Sequence, residues 1–455
     1  MLIIASFAIA GIGLIVAIIW FMTDKAVDSR VRVPVGISSL LLAIFFCVVG
    51  FLSAWGDGLL PTPIPPSPYD CKDEISCVKI NPGEPIHIAW IQSVSGATAP
   101  LGQTNVNGGR LAINDIGGEL LGHTIQYDGE DSFCNAEGGQ AAGTKISADP
   151  TVIAILGTTC SSEARSAAPL VSAAGLVMIS PSNTNPDLTD PNHPDHYVGY
   201  FRTAHNDLFQ GRIAAEFAYY KLGLRRAATI HDGSPYAQSL QQVFADVFTQ
   251  LGGTVTAQEA INVGDTDYKP ILTTIATGAP QIIYLPLFEP EGNLFTSQKC
   301  AVSGLENVAL MGADGLFTSG FPTTSGSCVL GMYLSSPYVS GSAMANFLSK
   351  YNNTFGEYPA SGFAPHAYDA MNMIFGAIEQ IAQVEADGTV YIPRKALRDA
   401  LYSTRNFSGL TGTLSCDQYG DCATGEALAI YKISQAMVAG TEDLVTSTPI
   451  WYPSR

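Results

Sequence analysis

The chain has 455 residues, 47% hydrophobic and only 14% charged, with a formal net charge of −18. That length holds two ordinary domains beside a membrane segment. The acidic balance excludes nucleic acid and an anionic lipid surface as partners, since both require a basic footprint. It also keeps an exported domain soluble.

The amino-terminal end reads as a membrane anchor. Residues 2–22 and 33–56 carry no charge, and each run, at roughly 20 residues or more, spans about 30 Å of hydrocarbon as a helix. The first run lacks a positive leader and a small-residue cleavage site before Trp20 and Phe21, so a removable signal fits it less well. The intervening loop 23–32 holds Lys25, Arg30 and Arg32. The positive-inside rule places it in the cytoplasm and both flanks outside. Residues 57–84 begin as a Pro-rich, stiff spacer and include a short cysteine loop.

Of nine cysteines, Cys47 lies in an apolar run and eight follow it. Proximity pairs Cys71 with Cys77, Cys300 with Cys328, and Cys416 with Cys422. Cys134 with Cys160 would complete the set, although sequence alone leaves the connectivity open. The absence of C-x-x-C speaks against a zinc ribbon or redox motif. An oxidising, extracytoplasmic compartment accounts for the count and agrees with the topology.

From Pro85 short apolar runs alternate with amphipathic stretches. IHIAWI (86–91) reads as a buried strand, GGRLAINDI as a helix, HTIQYDGED as a strand, VIAILG (152–157) as a strand and SEARSAAPLVSAAG as a helix. LVMIS (176–180) is another strand. A second series follows Phe201-Arg202-Thr203: helix NDLFQGRIAAEFAYYKLG, strand AATIHD, helix SPYAQSLQQVFADVFTQLGG, strand QIIYLPL (281–287) and strand VALMG. This alternation predicts an α/β fold of two Rossmann-like lobes with parallel sheets. The expected lobes are 85–202 with 339–413, and 203–338 with 414–455. HAYDAMNMIFGAIEQIAQV and RKALRDALYST are expected as helices returning to the first lobe.

Parallel α/β sheets bind ligands beyond the carboxyl ends of their strands. GTTCSS, SPSNT and GADG stand at three such ends. Ser161 would open a helix, offering a hydroxyl and outward N–H groups to a carboxylate without any basic residue. Thr184 adds a hydroxyl, and Asp314 can accept hydrogen bonds from an ammonium. Taken singly, Ser161 also suits an ordinary N-cap, Asp314 a turn and Thr184 a loop.

These pieces resemble the branched-chain amino-acid (Leu/Ile/Val) binding proteins of ABC transporters, which have the type I periplasmic-binding fold. The resemblance runs from about Pro85 to about Cys422. It is carried by SVSGATAPLG, GGRLAINDIGG, YDGEDSFCN, ILGTTCSSEARSAAPLVSAAGLVMISPSNTNPDL, YFRTAHND, HDGSPYAQSL, YLPLFEPEG, LMGADG and GLTGTLSCDQYGD. It implies that Ser161 and Thr184 hold the ligand carboxylate, with the backbone at Ser182 lining the site. Tyr236 would reach in from the second lobe, and Asp314 would take the ammonium where a Glu is usual. Phe288 stands where the family often has Tyr, and Leu101 borders the ligand side chain in place of a larger residue. Both changes make the pocket more apolar or roomier. The family also carries a disulfide matching Cys134–Cys160.

The resemblance further implies a three-strand hinge, here near Arg202, Tyr338 and Thr413, and closure of the lobes on a small amino acid. No enzyme activity, cofactor or metal is expected, and the chain is expected to be a monomer that delivers its ligand to an ABC permease. Relatives of the fold also bind urea, amides and aromatic acids, and a ligand-sensing ectodomain would use the same site. A hydrolase is the remaining alternative. His231-Asp232 invites it, but no G-x-S-x-G or H-E-x-x-H motif is present. Asp417 and Asp421 in CDQYGDC read as a disulfide-closed turn rather than a calcium loop.

Overall fold

A computed structural model describes residues 69–423 and 427–453. The membrane segments expected at 2–22 and 33–56, the loop 23–32 and residues 57–68 lie outside the described residues. Among the described residues no helix is long and apolar enough to cross a membrane.

Strand β1 (Cys77–Ile80) falls within the stretch expected as linker. Val78 and Ile80 are buried there, so this part of 57–84 belongs to the folded body. Next come β2 (Ile86–Gln92), α1 (Ala99–Asp115), β3 (Glu119–Leu120), β4 (His123–Asp131), α2 (Ala136–Ser147), β5 (Val152–Gly157), α3 (Ser161–Ala173), β6 (Val177–Ser180) and β7 (Tyr200–Arg202). The sheet order is β3-β4-β2-β5-β6-β7. All pairs are parallel except the β3–β4 hairpin. Every residue of β5 and β6 is buried, the pattern of strands covered by helices on both faces.

The second lobe repeats the design. It holds α4 (Asp207–Glu216), β8 (Arg226–His231), α5 (Pro235–Gln250), β9 (Thr254–Ala260), α6 (Lys269–Thr277), β10 (Ile282–Leu285), α7 (Glu291–Lys299), β11 (Ala309–Gly312) and β12 (Tyr333–Pro337). The chain then returns to the first lobe through α8 (Ser342–Phe355) and α9 (Ala364–Ile381). There Ala367, Met371, Ile374 and Ile378 join the core beneath β2 and β5. β13 (Gln383–Val384) and β14 (Val390–Pro393) form an antiparallel sheet with β1. Then come α10 (Arg394–Tyr402), the hairpin β15 (Phe407–Gly409) and β16 (Gly412–Leu414), and finally β17 (Leu428–Lys432). β17 closes the second sheet, whose order is β17-β12-β11-β10-β8-β9.

In both sheets the lobe's first parallel strand lies between its second and its third. The direction in which successive strands are added to the sheet therefore reverses between β2 and β5, and between β8 and β10. A crevice opens at such switch points, outside the carboxyl ends of the strands.

The last exchange between lobes falls after Cys422, not near Thr413 as expected. Leu414, Cys416 and Cys422 pack in the first lobe's core. The Cys416–Cys422 disulfide closes this turn. Two backbone bonds hold it to the first crossover: Arg202 N–H donates to Gly420 O at 2.9 Å, and Cys422 N–H to Arg202 O at 3.1 Å. Tyr338 N–H donates to Ala427 O at 2.8 Å, which ties the second crossover to the third. The other disulfides are Cys71–Cys77, Cys134–Cys160 and Cys300–Cys328.

Candidate functional site

Both switch points face one narrow cavity, lined among others by Leu101, Thr159, Cys160, Ser161, Ser182, Tyr236, Phe288, Asp314, Gly315 and Phe363. Six residues singled out from the sequence, Leu101, Ser161, Ser182, Tyr236, Phe288 and Asp314, meet there. No Lys or Arg is among the described lining residues.

Ser161 is the first residue of α3, directly after β5 and its extended cap Cys160. The Cys134–Cys160 disulfide pins that cap. Glu163, in the same first turn, accepts from Cys160 N–H at 2.8 Å and from Ser132 Oγ at 2.8 Å. Its burial pushes the pKa up to about 7 against those hydrogen bonds. The helix end therefore faces the cavity with its Ser161 hydroxyl and positive dipole end. Ser182 is held behind it: its Oγ donates to Thr159 O at 2.9 Å and accepts from Asn105 Nδ2 at 3.0 Å. Asn105 also donates to Gln92 Oε1 at 3.0 Å, and Thr159 Oγ1 donates to the same atom at 2.6 Å. This buried network fixes the loops after β2, β5 and β6 against one another.

The opposite wall comes from the second lobe. Tyr236 lies in the first turn of α5, whose N-cap Ser234 accepts from Ala237 N–H at 3.2 Å. Its hydroxyl donates to Asp314 Oδ1 at 3.1 Å and accepts from Gly315 N–H at 3.0 Å. Its ring lies 4.8 Å from that of Phe288, tilted by 35°. Asp314 follows β11, and burial raises its pKa to about 6.

Thr184 is not among the residues lining the cavity. Its hydroxyl is buried beside Asp207 without closing a hydrogen bond, because the loop after β6 turns it towards α4. Two residues were not singled out from the sequence. Phe363, just before α9, adds an aromatic wall, and its ring stacks on His205 at 6.3 Å. Asp207 is fully buried, and both its oxygens lack a hydrogen-bond partner among the described residues.

The remaining polar candidates are otherwise engaged. His231 Nδ1 accepts from Gly233 N–H at 2.9 Å, in a turn. Asp417 accepts from Tyr419 N–H at 2.8 Å and Asp421 N–H at 3.0 Å, and Asp421 pairs with Arg202 at 2.6 Å. Asp187, His193 and Asp195 have the spacing of a metal cluster, but Arg165 already holds Asp195.

Two similar lobes enclosing one polar-ended, apolar-walled cavity define a two-lobe binding protein. The chain belongs to the periplasmic binding protein family, whose model matches residues 85–436. It is 24% identical over 364 residues to the Leu/Ile/Val-binding protein BraC3 of Rhizobium johnstonii, covering 78% of this chain and 94% of that one. It is 28% identical over 259 residues to the leucine-specific-binding protein of Salmonella typhimurium, covering 55% and 67%. The leucine-binding protein LivK from Thermotoga maritima shares the fold, with a TM-score of 0.68 at 24% identity over 77% of this chain and 96% of that one. A solute-binding protein from R. palustris solved with benzoate also shares it, with a TM-score of 0.66 at 19% identity over 77% and 94%.

Proposed function

We propose that this chain captures a small α-amino acid, branched-chain or related, between its lobes and delivers it to an ABC permease. One observation carries the reading. An N-terminal helix end without a basic side chain and a buried acid stand on opposite lobes of the same cavity. Such a pair matches the carboxylate and ammonium of one zwitterion. Ser161 and the loop at Ser182 would hold the carboxylate, and Asp314 with Tyr236 the ammonium. Leu101, Phe288 and Phe363 would enclose an apolar side chain, with Thr184 supporting from behind. Burying a leucine-sized side chain contributes about 1.5–3 kcal/mol. Charge-assisted bonds at each end add about 1.5–3 kcal/mol.

The benzoate-bound neighbour shows that the fold can host an aromatic acid. Asp314 disfavours that class here, since a ligand without an ammonium leaves a buried carboxylate with the Tyr236 hydroxyl but no counter-charge. In this reading residues 2–22 and 33–56 anchor the protein, and the lobes stand on the outer face of the membrane.

The test is a thermal-shift screen of the full chain in detergent against amino acids, small amides and aromatic acids. Ligand at 100 times Kd adds about 2.7 kcal/mol to stability. Stabilisation by Leu, Ile or Val supports the proposal. Stabilisation only by compounds lacking an ammonium refutes it.

A further inference from the structure

We propose that ligand capture is coupled to release of a proton from Asp207, which tunes the cleft to ligands with a cationic end. This rests on the amino-acid reading above and deepens it. Asp207 opens α4, next to the N-cap Asn206, within reach of the Asp314 charge. It is 0% exposed, and neither carboxylate oxygen has a partner among the described residues. An ionised carboxylate placed there loses its hydration, and the nearby Thr184 hydroxyl and the Arg202 charge offset that loss only in part. The acid form is therefore favoured while the cleft is empty. Burial, followed by the charge of Asp314, raises the Asp207 pKa well above the usual carboxylate range.

The groups around it leave this proton in place. Arg202 is the cation facing Asp207; its two terminal nitrogens are committed elsewhere, while its buried Nε has no partner among the described residues. The terminal nitrogens donate to Asn185 O at 2.7 Å, Thr189 Oγ1 at 2.7 Å and Asp421 Oδ2 at 2.6 Å. Burial pushes His205 down to about 3 and His366 to about 4, so both are neutral near pH 7. Tyr236 and Tyr284 are raised by burial and stay protonated. Thr184 Oγ1 and Tyr284 Oη are likewise buried without partners. These atoms do not line the cavity itself; they are buried among the groups whose charges act on Asp207 and Tyr284.

An ammonium docked on Asp314 places a positive charge near Asp207 and favours its ionised form. The Asp207 O–H bond then breaks, the proton passes to the buffer, and the negative charge stays on the carboxylate. One proton leaves for each ligand that enters. Affinity consequently rises with pH, by up to about tenfold per unit, between the bound-state and free-state pKa values. A carboxylate without an ammonium cannot displace the proton. Glu163, at the other end, works in the opposite sense, because a docked carboxylate disfavours its ionised form. It must therefore be silenced in the test.

The full chain carrying Glu163→Gln would be titrated by calorimetry with L-leucine, 3-methylbutylamine and 4-methylpentanoate, in phosphate and in Tris, at about pH 8, where Asp314, raised to about 6, is already ionised and releases no proton. Leucine and the amine should show a buffer-dependent heat with the sign of proton release, and 4-methylpentanoate should show none. Adding Asp207→Asn should remove the dependence. Leucine binding without buffer dependence, or release that survives Asp207→Asn, overturns the coupling alone. If none of the three probes binds, the amino-acid reading falls and the coupling falls with it. A ligand-free arm tests the proton separately. The melting temperature of Asp207→Asn relative to the parent should rise between about pH 4 and about pH 8, as the parent meets the cost of a buried, ionising acid. A difference that does not change with pH overturns the proposal.

Discussion

Asp314 can hold an ammonium only when ionised, and burial raises its pKa to about 6. Leucine binding should therefore weaken below that pH. Asp314→Asn keeps the shape and the bond from Tyr236 but removes the charge. It should cost about 1.5–3 kcal/mol, or roughly ten- to a hundredfold in Kd by calorimetry. Unchanged affinity would remove Asp314 from the ammonium role. Glu163 gives a second residue-level prediction, with stability as the readout. Its folded pKa, raised to about 7 by burial, lies above the unfolded value of about 4.3. Its cost is absent at low pH, grows as pH rises through that window, and is complete above the folded value. Glu163→Gln should thus gain melting temperature relative to the parent on going from about pH 4 to about pH 8. A constant difference would show that Glu163 titrates normally.

At the scale of elements, the start of α3 determines whether Ser161 points into the cavity. The Cys134–Cys160 bridge spans 26 residues and holds the cap of that helix against α2. Replacing both cysteines with Ala should cost about 3 kcal/mol of stability, together with a loss of leucine affinity that milder conditions do not restore. α1 is placed as tightly. A Cβ at Gly102 would meet the backbone of Ser93, so Gly102→Ala must push the helix and Leu101 away from the loop after β2. A fall in melting temperature and weaker binding of large side chains are expected. Loops at strand ends in a two-fold α/β alternation were legible in the sequence, because buried strands and small polar turns leave clear signatures. Asp207 was not: Asn-Asp before an apolar run reads as an ordinary cap and first-turn acid, and only burial without a partner sets it apart. Phe363 was hidden for a similar reason, as one aromatic in a loop before a helix. The last crossover was misplaced because nothing in CDQYGDC tells which lobe a small disulfide loop packs against. Its partner, Arg202, lies 219 residues away.

For the whole molecule, the structure is the closed arrangement, with direct bonds across the cleft. Asn185 Nδ2 of the first lobe donates to Pro235 O of the second at 2.7 Å. Ser319 N–H donates to Ala360 O at 3.0 Å on another stretch of the interface. Ligand adds to these only what it gains in the closed form and lacks in the open one. At the hinge, the buried Arg202 bonds to Asn185 O and to Asp421. The same asparagine therefore joins the crossover to the edge of the second lobe. Asn185→Ala removes the bond to Pro235 while leaving its own backbone carbonyl for Arg202. The closed form should lose about 0.5–1.5 kcal/mol, a two- to tenfold shift in the closed-to-open ratio and a similar loss of affinity. Small-angle scattering of the ligand-free variant should show a larger radius of gyration than the parent, and saturating leucine should bring the two together. Equal radii without ligand would mean that Asn185 follows closure instead of stabilising it, leaving the cleft residues and the hinge to set the equilibrium.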